Sequence, residues 1–362
     1  MFGTGELRGH ERVWFVNDGA AGPRAVIAVH DTTLGPGGGG VRFHPYPDSG
    51  EALRDVLRLS RTMTYKLALA GLPFGGAKAV IIGDPRADGT EALLEAFGRA
   101  VEDLRGLYTC GPDAGTTPDD MAVIARATRH VVGLPGGAGG DIERATGYGV
   151  YHAVRAAVRR RLGRDDLAGL RVAVQGLGKV GLRLCRQLAK AGARLHVADL
   201  DPAAVARAVE AFGATAVPAE RVLGLEVDVL APCAMGGVLD GRSVRRVCAP
   251  VVCGGANDQL ADPPRHGRAL ADRGVLFVPD YVANAGGSIA AAAALRGEGE
   301  ADWRPRVRAI YDTCQRVFDL AEREAIPTHE AADRLAEEVL QRAKRARPEE
   351  EGPAAGRGRR VA

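Results

Sequence analysis

Lys66 and Lys78 close the two ends of "KLALAGLPFGGAK", a segment otherwise apolar or glycine. Two ammonium groups beside a stretch that reads as a buried loop suit proton chemistry on an anionic substrate. One lysine can stay charged and hold a carboxylate. The other can act as a base if burial or the neighbouring cation lowers its pKa. Upstream, "LGPGGGGVRF" offers Gly38, Gly39 and Gly40, whose backbone can approach a carboxylate closely because no Cβ intervenes. Downstream, "CGPDAGTTPDDM" sets Asp113 in a small-residue turn after a strand, a position that suits a site carboxylate. Asp119 and Asp120 read instead as the solvated first turn of a helix that begins after Pro118. Either lysine alone would read as snorkelling to solvent from a loop edge, and it is their company that argues for a site.

A second constellation follows. "VAVQGLGKVG" places Gly176, Gly178 and Gly181 in G-x-G-x-x-G spacing between an apolar strand and a helix, with Leu177, Lys179 and Val180 between them. The first glycine permits a tight turn, the second admits a pyrophosphate to the backbone, and the third lets helix and strand pack closely. The helix N-terminus then offers free N–H groups and a partial positive charge to phosphates. Asp199 ends the next strand, "LHVAD", about where a carboxylate accepts from ribose hydroxyls. With Asp201 beside it, Asp199 would repel a 2′-phosphate, which favours NAD over NADP.

The elements that must position these residues alternate. Strand-like runs at 24–30, 78–83 and 107–110 are separated by amphipathic segments, "EALRDVLRLSRTMTY" and "TEALLEAFGRAVEDL", with apolar residues at helical spacing. This is an α/β pattern. "GLPGGAGG" (133–140) is the candidate linker. A helix from about Thr146 follows it. The fingerprint and the further apolar runs in "VDVLAP", "PVVCGGAN" and "VLFVPDYVANAGG" then fit a doubly wound parallel sheet, with ligands at the carboxyl ends of its strands. A long helix over about 303–324 leads to "IPTHEAADRLAEEVLQRA", an amphipathic helix expected to pack back on the first domain.

The chain, 362 residues long, exceeds one ordinary core, so two domains are expected. Much of its formal charge of +3 sits in the final segment "KRARPEEEGPAAGRGRRVA", and only 5% of residues are aromatic, which argues against nucleic-acid binding. The six cysteines form no C-x-x-C pair and have no histidine at metal spacing, so reduced thiols and no metal site are expected. The charged start resembles no signal peptide, and the longest apolar run, "IAAAAAL", is too short to span a bilayer. A cytoplasmic protein without membrane partners is expected.

"GPGGGGVRF", "TMTYKLALAGLPFGGAKAVIIGDP", "GPDAGTTPDDM", "VQGLGKVG", "APCAMGGVLD", "VVCGGANDQL", "VPDYVANAGGSI" and "IPTHEAADRLAEE" resemble successive motifs of the Glu/Leu/Phe/Val amino-acid dehydrogenase family, in its short form. The resemblance covers about residues 12–342. It implies a substrate-binding and oligomerisation domain over 1–135, joined by a C-terminal helix at 326–345. A Rossmann dinucleotide-binding domain over 140–325 and a disordered tail over 346–362 complete the arrangement, with the active-site cleft between the domains. It implies a homo-oligomer that uses NAD to convert an L-amino acid to its 2-oxo acid and ammonia. Lys66, helped by the Gly39 and Gly40 backbone, would bind the substrate carboxylate. Lys78 would polarise the carbinolamine oxygen and activate water, and Asp113 would shuttle protons to and from the amino group. Asn257 and Thr146 would orient the nicotinamide, and Asn284 would line the cleft.

The side-chain pocket departs from the leucine and valine types. Gly38 stands where those members carry a bulky apolar residue, Gly111 where they carry alanine, and Ser288 and Ala291 where they carry valine. The lost volume points to a substrate larger than valine, such as an aromatic amino acid. Pro112 removes an N–H and stiffens the turn that aims Asp113. Two other readings are an NAD-binding sensor or assembly protein with weak catalysis, and a glutamate dehydrogenase. The retained lysines oppose the first. The second would need a cation for a distal carboxylate, which Gly38, Gly111 and Ser288 do not offer.

Overall fold

The computed structural model describes residues 7, 9–19, 22–137 and 142–346, so part of the proposed linker and the tail from 347 onward lie outside the described residues. The first sheet contains β1 (Arg12–Asn17), β2 (Arg24–Asp31), β3 (Gly37–His44), β4 (Gly75–Ile82) and β5 (Tyr108–Pro112), in the order β1-β2-β4-β3-β5. β2 runs antiparallel to β1 and β4, whereas β3 is parallel to β4 and β5. The near-continuous apolar sequences of β2 and β4 are those of strands buried on both faces. Helices α1 (Ser49–Leu69), α2 (Glu91–Glu102) and α3 (Pro118–Ile124) complete this domain.

The second sheet contains β6 (Arg171–Gln175), β7 (Arg194–Ala198), β8 (Thr215–Ala216), β9 (Val229–Pro232), β10 (Val251–Val252) and β11 (Leu276–Phe277). All its pairings are parallel, and its order is β11-β10-β9-β6-β7-β8. The order reverses between β6 and β9, which opens a crevice at their carboxyl ends, where doubly wound sheets bind ligands. Its helices are α4 (Ile142–Leu162), α5 (Lys179–Lys190), α6 (Pro202–Phe212), α7 (Ser243–Arg246), α8 (Pro263–Asp272), α9 (Asp280–Ala283), α10 (Gly286–Ala294), α11 (Glu300–Arg308) and α12 (Ile310–Glu324). The last helix, α13 (Thr328–Ala346), reaches back to the first domain: Tyr65 Oη of α1 donates to Glu337 (2.8 Å), and Lys344 pairs with Asp31 of β2 (2.9 Å).

Several local expectations are corrected. "KLALAGLPFGGAK" is not a loop: Lys66 lies in the last turn of α1, Lys78 lies within β4, and only the short connection between them turns. The glycine segment forms strand β3. Its glycines permit close approach, since a Cβ on Gly39 would sit 1.8 Å from the Ala77 carbonyl oxygen. Strand β1 was not expected. α4 begins at Ile142, ahead of Thr146. The long helix divides into α11, which contains Pro305, and α12. In "VLFVPDYVANAGG" only Leu276–Phe277 is strand, and the chain then enters α9 and α10.

Candidate active site

The two lysines converge because α1 lies tight against β4. A Cβ on Gly76 would fall 2.1 Å from both the backbone nitrogen and Oγ1 of Thr64, so only glycine allows the helix this close. α1 is fixed at its start by Asp48, whose side chain accepts from the Glu51 N–H, and it ends before Gly71 at φ +66°. Lys66 and Lys78 are both buried, 8% and 5% exposed.

Their surroundings differ. Lys78 Nζ pairs with Asp113 Oδ2 at 2.9 Å, and Arg42 Nε donates to the same oxygen at 3.1 Å. Burial alone would raise the Asp113 carboxyl, but Lys78 and Arg42 hold it well below the usual carboxylate range. The Lys66 ammonium has no ion pair or hydrogen bond among the described residues. Burial pushes its pKa down to about 8 against the opposing pull of Asp280, with Lys78 adding to the depression. Lys66 therefore holds its proton less tightly than a solvated lysine does. Asp280 is itself buried and pushed up to about 6, by desolvation first and Asp258 second.

Asp113 follows directly on β5. Its N–H donates to Thr116 Oγ1 (2.9 Å), and that hydroxyl donates to the Val41 carbonyl (2.8 Å), which locks the turn. Pro112 is the last residue of an edge strand, where a missing N–H breaks no ladder, so it does not displace the carboxylate. A Cβ on Gly40 would lie 2.8 Å from Asp113 Cβ and 3.2 Å from Lys78 Nζ, so glycine is required beside this pair.

Gly38, Gly39, Gly40, Lys66, Lys78, Gly111, Asp113, Asn257, Ser288 and Ala291 line one chamber of about 200 Å³. Met63, Leu67, Phe74, Val132 and Leu295 supply its apolar wall. A Cβ on Gly38 would make ordinary contact with Leu67 Cδ1 at 3.7 Å. At Gly111 a Cβ would press on Val132 at 3.0 Å, so that glycine adds less room.

Lys66, Asp113 and Asn257 also line an adjoining chamber, together with Thr146, Gly178, Lys179, Val180 and Asn284. Asn284 Nδ2 donates to Asn257 Oδ1 (2.7 Å) and so fixes that amide at the junction. Thr146 Oγ1 donates to the Ile142 carbonyl (2.9 Å), and Lys179 pairs with Glu143 (3.1 Å).

The residues present fit a dinucleotide. Gly176 has φ +93°, and a Cβ on Gly181 would lie 2.0 Å from the Gly176 carbonyl oxygen, so both are needed for the turn itself. A Cβ on Gly178 would meet nothing within 4 Å, which leaves an open cradle at the N-terminus of α5. Asp199 accepts from the N–H groups of Leu177 (2.5 Å) and Asp201 (2.8 Å), which brace the turn from behind. Gly176, Leu177, Gly181 and Asp199 do not line either chamber; Arg42 and Asp280, at the site's edge, were not identified as site residues from sequence.

Fold and site define a two-domain α/β oxidoreductase with its substrate chamber opening onto a nucleotide crevice. Residues 10–130 match the family described as Glu/Leu/Phe/Val dehydrogenase, dimerisation domain, and residues 136–205 and 199–346 match Glutamate/Leucine/Phenylalanine/Valine dehydrogenase. A leucine dehydrogenase of Geobacillus stearothermophilus is 46% identical, over 96% of this chain and 95% of its own length. A phenylalanine dehydrogenase of Caldalkalibacillus thermarum is 44% identical, over 94% of each chain. The crystal structure of L-tryptophan dehydrogenase from Nostoc punctiforme superimposes with a TM-score of 0.81 at 42% identity, covering 94% of this chain and 98% of the other. The chain belongs to the Glu/Leu/Phe/Val dehydrogenase family.

Proposed function

We propose that the protein catalyses the NAD-dependent, reversible oxidative deamination of a hydrophobic L-amino acid larger than valine, giving the 2-oxo acid and ammonia. The observation that carries this reading is the buried, unpaired Lys66 ammonium beside the Lys78–Asp113 ion pair at the junction of the two chambers. A substrate carboxylate completes Lys66, with the Gly39 and Gly40 backbone beside it, and restores the charge that burial disfavours. Asp113 takes the proton from the substrate amino group. The open backbone at Gly178 and the N-terminus of α5 would hold NAD, which when bound would supply the hydride acceptor for the substrate Cα. Water adds to the resulting imine carbon with its oxygen polarised by Lys78 and gives up one proton to solvent; Asp113 returns its proton to the nitrogen, and ammonia leaves as the hydroxyl proton is lost and the carbonyl forms. Asn257, steadied by Asn284, and Thr146 orient the nicotinamide. Closure of the cleft between the domains excludes water once the reactants are aligned.

Residues 1–135 with the helix 326–345 act as the substrate and assembly domain, and 140–325 as the nucleotide domain. The protein works in the cytoplasm as a homo-oligomer; the family description of its first domain as a dimerisation domain supports this. No helix among the described residues is long and apolar enough to cross a membrane.

NADH formation by the purified protein, measured across a panel of L-amino acids, tests the reading. Turnover favouring phenylalanine or tryptophan over valine is expected; valine outperforming both overturns the size assignment. NAD binding without turnover on any amino acid would favour the sensor reading.

A further inference from the structure

The Arg42 guanidinium spans two carboxylates. Nε donates to Asp113 Oδ2 (3.1 Å), and Nη1 donates to Asp55 Oδ2 (2.8 Å). Asp55 is anchored in turn: Tyr46 Oη donates to its Oδ2 (2.6 Å), and Arg58 Nη2 donates to its Oδ1 (2.5 Å). Arg58 also pairs with Asp258, the residue after Asn257 in the nucleotide domain. Charges therefore alternate from Lys78 through Asp113, Arg42, Asp55 and Arg58 to Asp258. Arg42, Asp55 and Asp113 are 17%, 15% and 13% exposed, so water screens the inner members weakly.

We infer that Arg42, held by Asp55, is a positioning residue for the Asp113 carboxylate. The inference rests on the proton-transfer role proposed for Asp113. Lys78 and Arg42 both engage Oδ2, so the carboxylate cannot rotate freely, and Oδ1 has no hydrogen-bond partner among the described residues. That second oxygen is the one left to meet a substrate amino group. A planar guanidinium can bridge Asp55 and Asp113 in a fixed geometry, which a lysine ammonium cannot do. The network also ties Asp113 to the loop that carries Asn257, so the two reacting partners are aligned through one set of ion pairs.

The test is steady-state kinetics in H2O and D2O on the full-length enzyme, its Arg42→Gln, Arg42→Lys and Arg42→Ala variants, and Asp55→Asn. Arg42→Gln is expected to lower kcat about 100-fold, the effect of misplacing a reacting group by about an ångström, with little change in KM for the amino acid. Its solvent isotope effect on kcat should rise, because proton transfer becomes slower than the later steps. Arg42→Lys should recover only part of the loss, and added guanidinium should raise kcat of Arg42→Ala. Asp55→Asn, which keeps Arg42 but weakens its anchor, should move kcat and isotope effect the same way by less; it decides the matter if the Arg42 variants do not fold. Full kcat in Arg42→Gln, or a loss that tracks melting temperature with an unchanged isotope effect and no guanidinium rescue, overturns the inference. A parent enzyme without turnover on any amino acid overturns the proposed function and this inference together. An active parent with insensitive variants overturns this inference alone.

Discussion

At the scale of single residues, the chemistry turns on how three buried charges share one cleft. Lys78 already has its counter-ion, Asp113, while Lys66 awaits one. An anionic ligand needs Lys66 protonated, and burial pushes its pKa down to about 8. The Lys66 pKa is depressed, so its charge is present below that value and lost as pH rises through it. The inhibition constant of a non-reacting carboxylate such as 3-phenylpropanoate should therefore be flat below pH 8 and rise above it. In Lys66→Ala binding should be weak and lose that inflection; the same inflection there would assign it to another group. Lys78→Ala should lower kcat roughly 100- to 10,000-fold, the usual contribution of a positioned acid–base group, while NAD binding measured by fluorescence persists.

At the scale of elements, glycines set how closely helix and strands approach. Gly76→Ala puts a methyl into the Thr64 backbone and should cost about 1–3 kcal/mol of stability, read as a lower denaturation midpoint. Gly38→Ala places its methyl in ordinary contact with Leu67 Cδ1, 3.7 Å away, and should leave the midpoint unchanged. It should instead lower kcat/KM for aromatic relative to smaller aliphatic substrates by about tenfold, since apolar fit is worth ~1–3 kcal/mol per methylene. Equal effects on all substrates would show that Gly38 does not shape the side-chain pocket. These positions also explain why β3 escaped a reading by pattern: glycine is depleted in strands and carries no alternation, so nothing local marks "GGGGVRFH" as central to a sheet. Packing against β4 and β5 makes it a strand. The run from Lys66 to Lys78 misled for a similar reason, because apolar residues buried on every side show neither helical nor strand period.

At the scale of the whole molecule, β1 is the open edge of the first sheet and carries Phe15, 57% exposed. An unpaired edge with an exposed aromatic is a ready association surface. Light scattering should find an oligomer, and Phe15→Lys should reduce its mass; an unchanged mass would place the contact elsewhere. Cofactor choice belongs to the same scale: NAD should outperform NADP, and Asp199→Ser should narrow the gap. The sequence by itself determined the αβ alternation, the phosphate turn, and the presence of Lys66, Lys78 and Asp113, because spacing and residue type are local properties. It also marked Asn257, Ser288 and Ala291, but only through resemblance to known motifs. Only the tertiary structure decided that Lys66 stands unpaired, that Lys78 and Arg42 share one oxygen of Asp113, and that Asp55 and Arg58 carry the network across to Asp258. Those facts depend on distances between segments far apart in the chain, and burial, which sets the electrostatics of each charge, exists only once the two domains are packed together.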